Sequence, residues 1–191
     1  MRARVRGSRI AGVVKAPPSK SYTQRALACA LLAEGKSEIA NPSVSEDGLS
    51  ALHAAEMLGA RASKAEGVWS ITGGHIETPE DVVDCGGSAT ALRFFTALSA
   101  HASGASVLTG DASLRKRPME GLLSAMNALG ARCISTRGNG LPPVVVMGGG
   151  ICGGRAMMRG DVSSQFLSAL MISCTRAMGD ATIIIEGGLE S

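Results

Sequence analysis

Three segments of the sequence place hydroxyl and basic side chains directly before a run rich in Ala and Leu. They cover residues 19–25, 87–93 and 161–166. A hydroxyl residue before such a run is typical of a helix N-cap. A helix N-terminus presents unpaired N–H groups and the positive end of the helix dipole, so it attracts anions. Three such ends with Lys and Arg nearby indicate a site for a ligand that carries several negative charges.

The first two of these segments each allow a plainer interpretation. Arg25 follows Ser21 by one helical turn, so both side chains lie on one helix face and, with Lys20, can hold an anion. The Gly-Gly pair at 86–87 lets backbone N–H groups near Ala89 approach an anion closely. The alternatives are an ordinary capped helix with solvated charges and a plain turn. Spacing alone leaves both open.

Two further groups of side chains suit phosphate or carboxylate oxygens. The basic residues 115–117 lie before Pro118, the first residue of a predicted helix, where a guanidinium can bind an oxyanion through two hydrogen bonds. Residues 163–165 offer two hydroxyls and an amide at another predicted helix start. The alternatives are an exposed basic turn and a simple helix cap, and spacing leaves these open as well.

Other kinds of site find little support in the sequence. The Gly-rich segment 148–153 fits G-x-G-x-x-G, but no helix pattern follows it, so a dinucleotide site is rejected. Five cysteines are scattered without a CxxC pair and are predicted to be reduced thiols in the interior. No Ser-His-Asp or Cys-His arrangement can be argued, and metal-ligand spacing is absent from the histidines, which are His53, His75 and His101. No metal or cofactor is therefore predicted.

The composition is that of a folded protein whose interior depends on aliphatic and small side chains. Of 191 residues, 45% are hydrophobic but only 3% are aromatic, and this length suits one domain or two small ones. A net charge of +3, with few aromatic residues among the basic ones, disfavours nucleic acid as a partner. The apolar stretch 10–14 is too short for a signal peptide, and no run reaches transmembrane length. We therefore expect a cytoplasmic protein without membrane contact.

Helical and extended patterns alternate along the chain and recur in the same order. The tetrapeptide Leu-Gly-Ala-Arg, at 58–61 and again at 129–132, ends two predicted helices in the same way. Predicted helices cover 20–33, 46–58, 90–101, 119–129 and 163–178. Predicted strands cover 37–40, 61–64, 68–72, 106–108, 132–136, 144–147 and 181–185. Such an order is typical of repeated supersecondary units that share one core.

We predict an α/β fold built from βαβαββ units at about 20–85 and 86–160, with an incomplete third unit from 161. The third unit shows one helix and one strand, and a second helix is expected to follow Ser191. A unit of this kind leaves apolar faces uncovered. We therefore expect the chain to be part of a longer protein.

The chain resembles the family of 5-enolpyruvylshikimate-3-phosphate synthase, also called 3-phosphoshikimate 1-carboxyvinyltransferase. Each matching motif is weak alone, but the ordered set is specific: residues 17–25, 88–93, 108–111, 117–118, 162–167 and 186–191. The resemblance implies the enolpyruvyl transferase fold, an inside-out α/β barrel. In that fold two domains of three βαβαββ units enclose the active site in the cleft between them. The second domain is expected to be absent from this chain.

The resemblance also implies a reaction of the shikimate pathway, which leads through chorismate to the aromatic amino acids. The enolpyruvyl group of phosphoenolpyruvate moves to the 5-hydroxyl of shikimate 3-phosphate by protonation and addition, followed by loss of phosphate. The family uses neither a metal nor a covalent enzyme intermediate, so no cofactor is expected. The implied partners are the two substrates and the missing C-terminal domain, and the full-length protein is expected to be a monomer.

The resemblance assigns ligand roles to residues of this chain. Lys20 is expected to contact both substrates and to favour the charge that develops on phosphoenolpyruvate. The expected shikimate 3-phosphate contacts are Lys20, Ser21, Arg25, Ser163, Ser164, Gln165 and Ser191. The expected phosphoenolpyruvate contacts are Lys20, Ala89, Arg117 and Gln165. Arg93 is expected to brace the site rather than to contact a ligand.

The chain departs from the family pattern in composition and in length. Ala89 stands where the family usually has Gly, and its methyl group is expected to crowd longer analogues such as glyphosate. The family also commonly has Asn near Gly87. The family's general-base Asp, its proton-donating Glu and further basic ligands lie in the half that this chain lacks. The isolated chain is therefore expected to bind shikimate 3-phosphate weakly and to be inactive.

Two rival interpretations remain. The UDP-N-acetylglucosamine enolpyruvyl transferase shares the fold and the donor, although residues 19–21 and 163–166 favour the shikimate enzyme. A protein of another class is a non-catalytic fragment, either one half of a split gene that needs a C-terminal partner or a decayed remnant. The early end of the third unit favours this second interpretation, whereas the intact binding residues argue against long decay.

Overall fold

The computed structural model describes residues 2–9, 11–160 and 163–188. These ranges contain five α-helices, which are α1 Lys20–Leu32, α2 Glu46–Met57, α3 Ala89–Ser99, α4 Glu120–Ala128 and α5 Ser164–Ser173. They also contain nine strands, which are β1 Gly35–Ala40, β2 Arg61–Ala65, β3 Val68–Gly73, β4 Val83–Asp84, β5 Ala105–Thr109, β6 Arg132–Ser135, β7 Val144–Met147, β8 Gly154–Arg159 and β9 Ala181–Glu186. Short 3₁₀ helices cover Leu114–Lys116 and Cys174–Arg176.

The strands form three sheets that follow one another along the chain. The first has the order β1-β3-β2 and is antiparallel. The second has the order β4-β5-β7-β6, in which β4 and β5 are parallel and the other pairs antiparallel. The third pairs β8 with β9 in parallel. A parallel pair needs a crossover, and α3 and α5 provide one each, so the same strand–helix–strand unit occurs twice.

Helices α2 and α4 end in the same way, as the repeated Leu-Gly-Ala-Arg tetrapeptide predicts. Gly59 and Gly130 have φ angles of 101° and 87°, a left-handed conformation that glycine adopts without steric cost. The next N–H group then donates to the carbonyl five residues earlier, from Ala60 to Ala55 and from Ala131 to Met126, each at 3.0 Å. The repeat is therefore visible in backbone geometry as well as in sequence.

Helix α3 lies at the centre of the core. It contacts α1, α2, α4 and α5, and its residues from Phe94 to Ser99 are all buried. The three phenylalanines of the chain, Phe94, Phe95 and Phe166, are buried on α3 and α5. Most other buried positions are Ala and Leu, which allow the helices to approach closely. The low aromatic content is thus compatible with a continuous core.

Helices α1, α3 and α5 run parallel, with their N-termini at one end of the domain. Near the start of α3, the Arg93 guanidinium donates to the Ser163 hydroxyl at the start of α5, at 3.1 Å. Beyond the end of α3, the His101 ring contacts the Ser173 carbonyl at the end of α5, at 2.9 Å. The ends of α1 and α5 are joined by Arg176, which donates to the Leu32 carbonyl at 2.7 Å. All three helix starts therefore lie together.

The predicted helices and strands are confirmed, with differences at four places. Pro118 is not the first residue of a helix, because α4 begins at Glu120 with Met119 as its N-cap. The strands β4 and β8 were not predicted, because β4 has only two residues and β8 begins in a Gly-rich segment. Each of these strands pairs with the strand that follows the next helix, but it lies just before the predicted unit boundary, at 86 for β4 and at 161 for β8. Helix α5 is shorter than predicted: it tightens into a 3₁₀ turn where the Thr175 hydroxyl donates to the Ile172 carbonyl at 2.7 Å. The division into units stays a prediction.

The prediction that all cysteines are interior was wrong for part of the set. Cys85 and Cys133 are buried, Cys174 is intermediate, and Cys29 and Cys152 are exposed. All five are free thiols. Burial, with a smaller effect of Glu120, raises the pKa of Cys133 to about 12, so this thiol is protonated at neutral pH. Cysteine is a hydrophobic residue, and this property alone does not show that Cys29 lies on the solvent-exposed face of α1.

Candidate active site

The three parallel helices each begin with a serine that caps the first turn. The Ser19 hydroxyl accepts from the Tyr22 N–H at 3.3 Å, Ser88 from Ala91 at 3.2 Å, and Ser163 from Gln165 at 3.3 Å. Each cap satisfies one of the unpaired N–H groups of its helix and leaves others available. The three segments that the sequence indicates are therefore helix starts, and they lie at one end of the domain.

The charge at these helix starts differs from that at the other helices. The first turns of α1, α3 and α5 contain no acidic residue. In contrast, Glu46 and Asp47 lie in the first turn of α2, and Glu120 lies in that of α4. An acidic residue compensates the positive end of a helix dipole. The three ends without one therefore keep an uncompensated positive end of the helix dipole, which favours an anion.

Arg93 joins the start of α5 to α3. One of its terminal nitrogens donates to the Ser163 hydroxyl at 3.1 Å and to the Gln165 side-chain carbonyl at 2.6 Å, and the guanidinium lies 4.8 Å from the Phe166 ring centroid. Because the Gln165 carbonyl is engaged, its NH₂ group remains to donate to a ligand. The Ser163 oxygen accepts two bonds, so its own proton can be donated as well. Arg93 thus orients two donors.

A second arginine lies beside this contact. Burial first, and then the positive charge of Arg117, lower the pKa of Arg93. Arg117 is exposed and follows a short 3₁₀ helix, whereas Arg115 donates to the Gly110 carbonyl and so holds the preceding turn. Of the basic residues at 115–117, Arg115 is therefore committed to the fold. Arg117 is exposed, and its positive charge disfavours the charged form of Arg93; an oxyanion between the two cations would offset this repulsion.

The start of α1 carries two more cations. The Lys20 ammonium contacts the Asp47 carboxylate at 2.9 Å, in an exposed ion pair that contributes little to stability. Arg25 donates to the Ser21 carbonyl at 3.2 Å and to the Ser168 hydroxyl at 3.4 Å, and lies 5.5 Å from the Phe94 ring centroid. Arg25 therefore spans from α1 to α5, on the helix face that its four-residue spacing from Ser21 predicts.

The predicted site residues lie at these three helix starts and in the turn before α4. They are Lys20, Ser21 and Arg25 on α1, Ala89 on α3, Arg117, and Ser163, Ser164 and Gln165 at α5. Arg93 directly contacts two of them, and Ser191 lies outside the described residues. Their ligand roles stay predictions. Sequence reasoning missed Gln24, Asp47 and Ser168. A signal was present for Gln24, which follows Lys20 by one helical turn.

The described residues contain neither a metal-binding cluster nor a membrane-spanning helix. Within residues 2–9, 11–160 and 163–188, no cluster of three or more His, Cys, Asp or Glu side chains is arranged to hold a metal ion. In the same ranges no helix is both long and apolar enough to cross a membrane.

Comparison with known proteins gives the same picture. The profile of the EPSP synthase (3-phosphoshikimate 1-carboxyvinyltransferase) family matches residues 5–191. The chain belongs to this family. Among similar solved structures is EPSP synthase from Acinetobacter baumannii, with a TM-score of 0.83 and 27% identity. That match covers 94% of this chain and 42% of the other. The predicted enolpyruvyl transferase fold is therefore confirmed.

Curated relatives carry the name 3-phosphoshikimate 1-carboxyvinyltransferase. The protein from Methanothermobacter thermautotrophicus is 48% identical over 182 residues, covering 94% of this chain and 43% of its own length. The protein from Methanococcus maripaludis strain C5 is 46% identical over 184 residues, covering 96% of this chain and 43% of its own length. The chain thus spans less than half the length of these relatives, as is consistent with an N-terminal part.

Proposed function

We propose that this chain is the part of an EPSP synthase that binds shikimate 3-phosphate and one side of phosphoenolpyruvate. The whole enzyme transfers the enolpyruvyl group to the 5-hydroxyl of shikimate 3-phosphate and releases phosphate. The observation that carries the proposal is the meeting of three serine-capped helix starts without acidic first-turn residues, joined by Arg93. Family membership then selects the substrates from among possible anions.

Shikimate 3-phosphate has two charged groups, and two groups of side chains suit them. The hydroxyls of Ser163 and Ser164 at the start of α5 donate to the 3-phosphate, where the dipole of α5 adds to the attraction. Arg25, which already spans from α1 to α5, pairs with the carboxylate beside Ser21. Ser191, the remaining proposed phosphate contact, belongs to the part of the chain beyond the described residues.

Phosphoenolpyruvate is proposed to lie between the starts of α1, α3 and α5. Arg117 binds its phosphate or carboxylate, and the backbone at Ala89 donates from the first turn of α3. The Gln165 amide, whose carbonyl Arg93 holds, donates from between the two substrates. Lys20 keeps one of its three donors on Asp47, directs the others to the substrate and stabilises the charge that develops during addition.

The groups assembled here bind charge, and the proposed reaction also moves protons. Among the residues assigned above, Lys20, Arg25 and Arg117 are cations, and the others are neutral donors. The acid and the base that protonate the methylene carbon and accept the hydroxyl proton are proposed to come from the part that this chain does not cover. We therefore expect the isolated 191-residue chain to be inactive. A cytoplasmic location and a monomeric full-length state stay predictions.

The test begins with the native protein. An antibody against this segment identifies the mass of the protein in its source cells, and the purified species is assayed for phosphate release from phosphoenolpyruvate. Shikimate 3-phosphate is the expected acceptor, and UDP-N-acetylglucosamine is the control. A species a little over twice 19.4 kDa that uses the first acceptor alone supports the proposal. Use of the second acceptor, or turnover by the isolated chain, contradicts it.

Ala89 offers a separate test of the phosphoenolpyruvate position. Ala89 is the first residue of α3 and is half-exposed. If phosphoenolpyruvate binds at the start of α3, the Ala89 methyl group lies beside it and crowds a longer analogue. The full-length Ala89→Gly variant is expected to be inhibited by glyphosate at lower concentration than the natural protein. Identical inhibition curves for the two proteins would place the inhibitor elsewhere.

A further inference from the structure

Gln24 is a buried polar residue at the meeting point of three helices. Its side chain is only 2% exposed. The amide nitrogen donates to the Asp47 backbone carbonyl in the first turn of α2, at 3.0 Å. It also donates to the Ser88 hydroxyl, the N-cap of α3, at 2.7 Å. A single amide group therefore joins α1, α2 and α3 where their chains begin.

Both partners of Gln24 lead directly to the proposed phosphoenolpyruvate side of the site. Asp47 uses its carboxylate to hold Lys20, which lies one turn before Gln24 on the same face of α1. Ser88 immediately precedes Ala89 and accepts from the Ala91 N–H at 3.2 Å. The Lys20 ion pair and the first turn of α3 are thus anchored to the same side chain.

We infer that Gln24 is a positioning residue that fixes Lys20 relative to the first turn of α3. The inference rests on the proposed function, and it assigns to Gln24 no contact with substrate. Its role is to hold two phosphoenolpyruvate-binding elements, which lie on different helices, at the separation that the ligand requires. Displacement of binding groups by a fraction of an ångström is enough to weaken catalysis, because reacting groups must be aligned.

Apart from Lys20, which is assigned to both substrates, the contacts of the shikimate 3-phosphate side are held without Gln24. Arg25 is held by Ser168, and Ser163 and Gln165 are held by Arg93. These bonds join α5 to α1 and to α3 without passing through the amide. Loss of the Gln24 bonds is therefore expected to affect the two substrates unequally, which a general loss of stability does not do.

The first variant is Gln24→Leu in the full-length protein, which keeps the side-chain size but removes both bonds. We expect the KM for phosphoenolpyruvate to rise on the order of tenfold and the KM for shikimate 3-phosphate to stay within about twofold. The matched control is Thr23→Val. Thr23 is equally buried on α1, but its hydroxyl contacts the Ser19 carbonyl and the Ser43 N–H instead, so both KM values are expected to be unchanged.

A second variant keeps the inference testable if Gln24→Leu does not fold. Ser88→Ala removes the acceptor on α3, and it is expected to raise the KM for phosphoenolpyruvate in the same direction. Combining the two substitutions is expected to raise the KM by less than the sum of the single effects on the free energy scale, because both break the Gln24–Ser88 bond. Wild-type KM values in Ser88→Ala, or equal effects of Gln24→Leu and Thr23→Val, overturn the inference. If the unmodified protein shows no turnover with these substrates, the proposed function and the inference both fail.

Discussion

The segments β4–α3–β5 and β8–α5–β9, whose helices belong to the predicted second and third units, share one order of elements but bury their helices to different extents. In the second unit, α3 is covered on several sides by α1, α2, α4 and α5. In the third, α5 buries Phe166, Ala169, Leu170 and Ser173, which form one face. The parallel pair β4–β5 extends into a four-stranded sheet, whereas the described residues of the third unit give the pair β8–β9 alone.

Helices α2 and α4, the second helices of the first two predicted units, explain the difference. Helix α2 contacts α1 and α3, and α4 contacts α3 and α5, so each closes the space between two successive first helices. Between α5 and α1, within the described ranges, lies an open, mainly apolar groove of about 580 Å³ instead. It is lined by Cys29, Leu32, Ala33, Met171, Ile172, Thr175 and Arg176. The repeat predicts that the second helix of the third unit belongs in this groove.

The largest expected contrast is in stability. Leu98 is fully buried on α3, and Leu167 is partly buried on α5. Leu98→Ala is expected to lower the free energy of unfolding by about 2–5 kcal/mol, because it leaves a cavity in close-packed surroundings. Leu167→Ala is expected to cost about 1 kcal/mol, since less apolar surface is lost. Urea unfolding of both variants measures the difference, and equal losses would show that α5 is as well packed as α3.

The next contrast concerns the contact that joins the two units at the site. Arg93→Met removes the donor that orients Ser163 and Gln165, and it is expected to lower kcat/KM of the full-length enzyme by ~10²-fold. Arg93→Lys keeps the charge but not the planar fork, so we expect only partial recovery. The control is Arg132→Met, an exposed arginine on β6. Comparable activities of Arg93→Met and the control would show that Arg93 does not orient residues that the reaction needs.

A smaller effect is expected at the opposite end of the same helices, where His101 contacts Ser173. Burial, followed by the charge of Arg176, lowers the pKa of His101 from 6.5, although its bond to Ser173 acts in the opposite direction. Between the lowered pKa and 6.5, the unfolded chain holds more protons than the folded one, so stability falls as the pH drops through this window. The loss is complete only below the folded-state pKa.

His101→Gln is expected to remove this part of the pH dependence, because the amide keeps a donor near Ser173 and does not titrate. His53→Gln is the control, since His53 is exposed on α2. Melting temperatures between pH 5 and 8, the range in which histidine titrates, compare the variants with the natural chain. A steeper decline in His101→Gln than in the natural chain contradicts the sign of the effect.

More of the fold than of the candidate site could be predicted from the sequence. Periodicity and the repeated Leu-Gly-Ala-Arg ends located the five α-helices of the described residues, because those signals are local. Sequence reasoning also found Ser19, Ser88 and Ser163 within the three helix-start segments. It did not find the bond of Gln24 to Ser88, because those residues are 64 positions apart and only packing brings them together. Contacts across helices depend on tertiary geometry, which spacing does not encode.

The smallest expected effect is on the rate at which a cysteine thiol is labelled, and this rate tests whether the α1–α5 groove is covered. Cys29 lines the groove and is exposed, while Cys152 is exposed elsewhere. Partial burial raises the pKa of Cys29, so less of this cysteine is in the reactive thiolate form and it is labelled slowly even when accessible. The labelling rate of Cys29 is therefore compared between the isolated chain and the full-length protein, with Cys152 as the internal standard. We expect Cys29 alone to become protected in the full-length protein. If its labelling rate relative to Cys152 is unchanged, no helix occupies the groove, and the third unit closes differently from the first two.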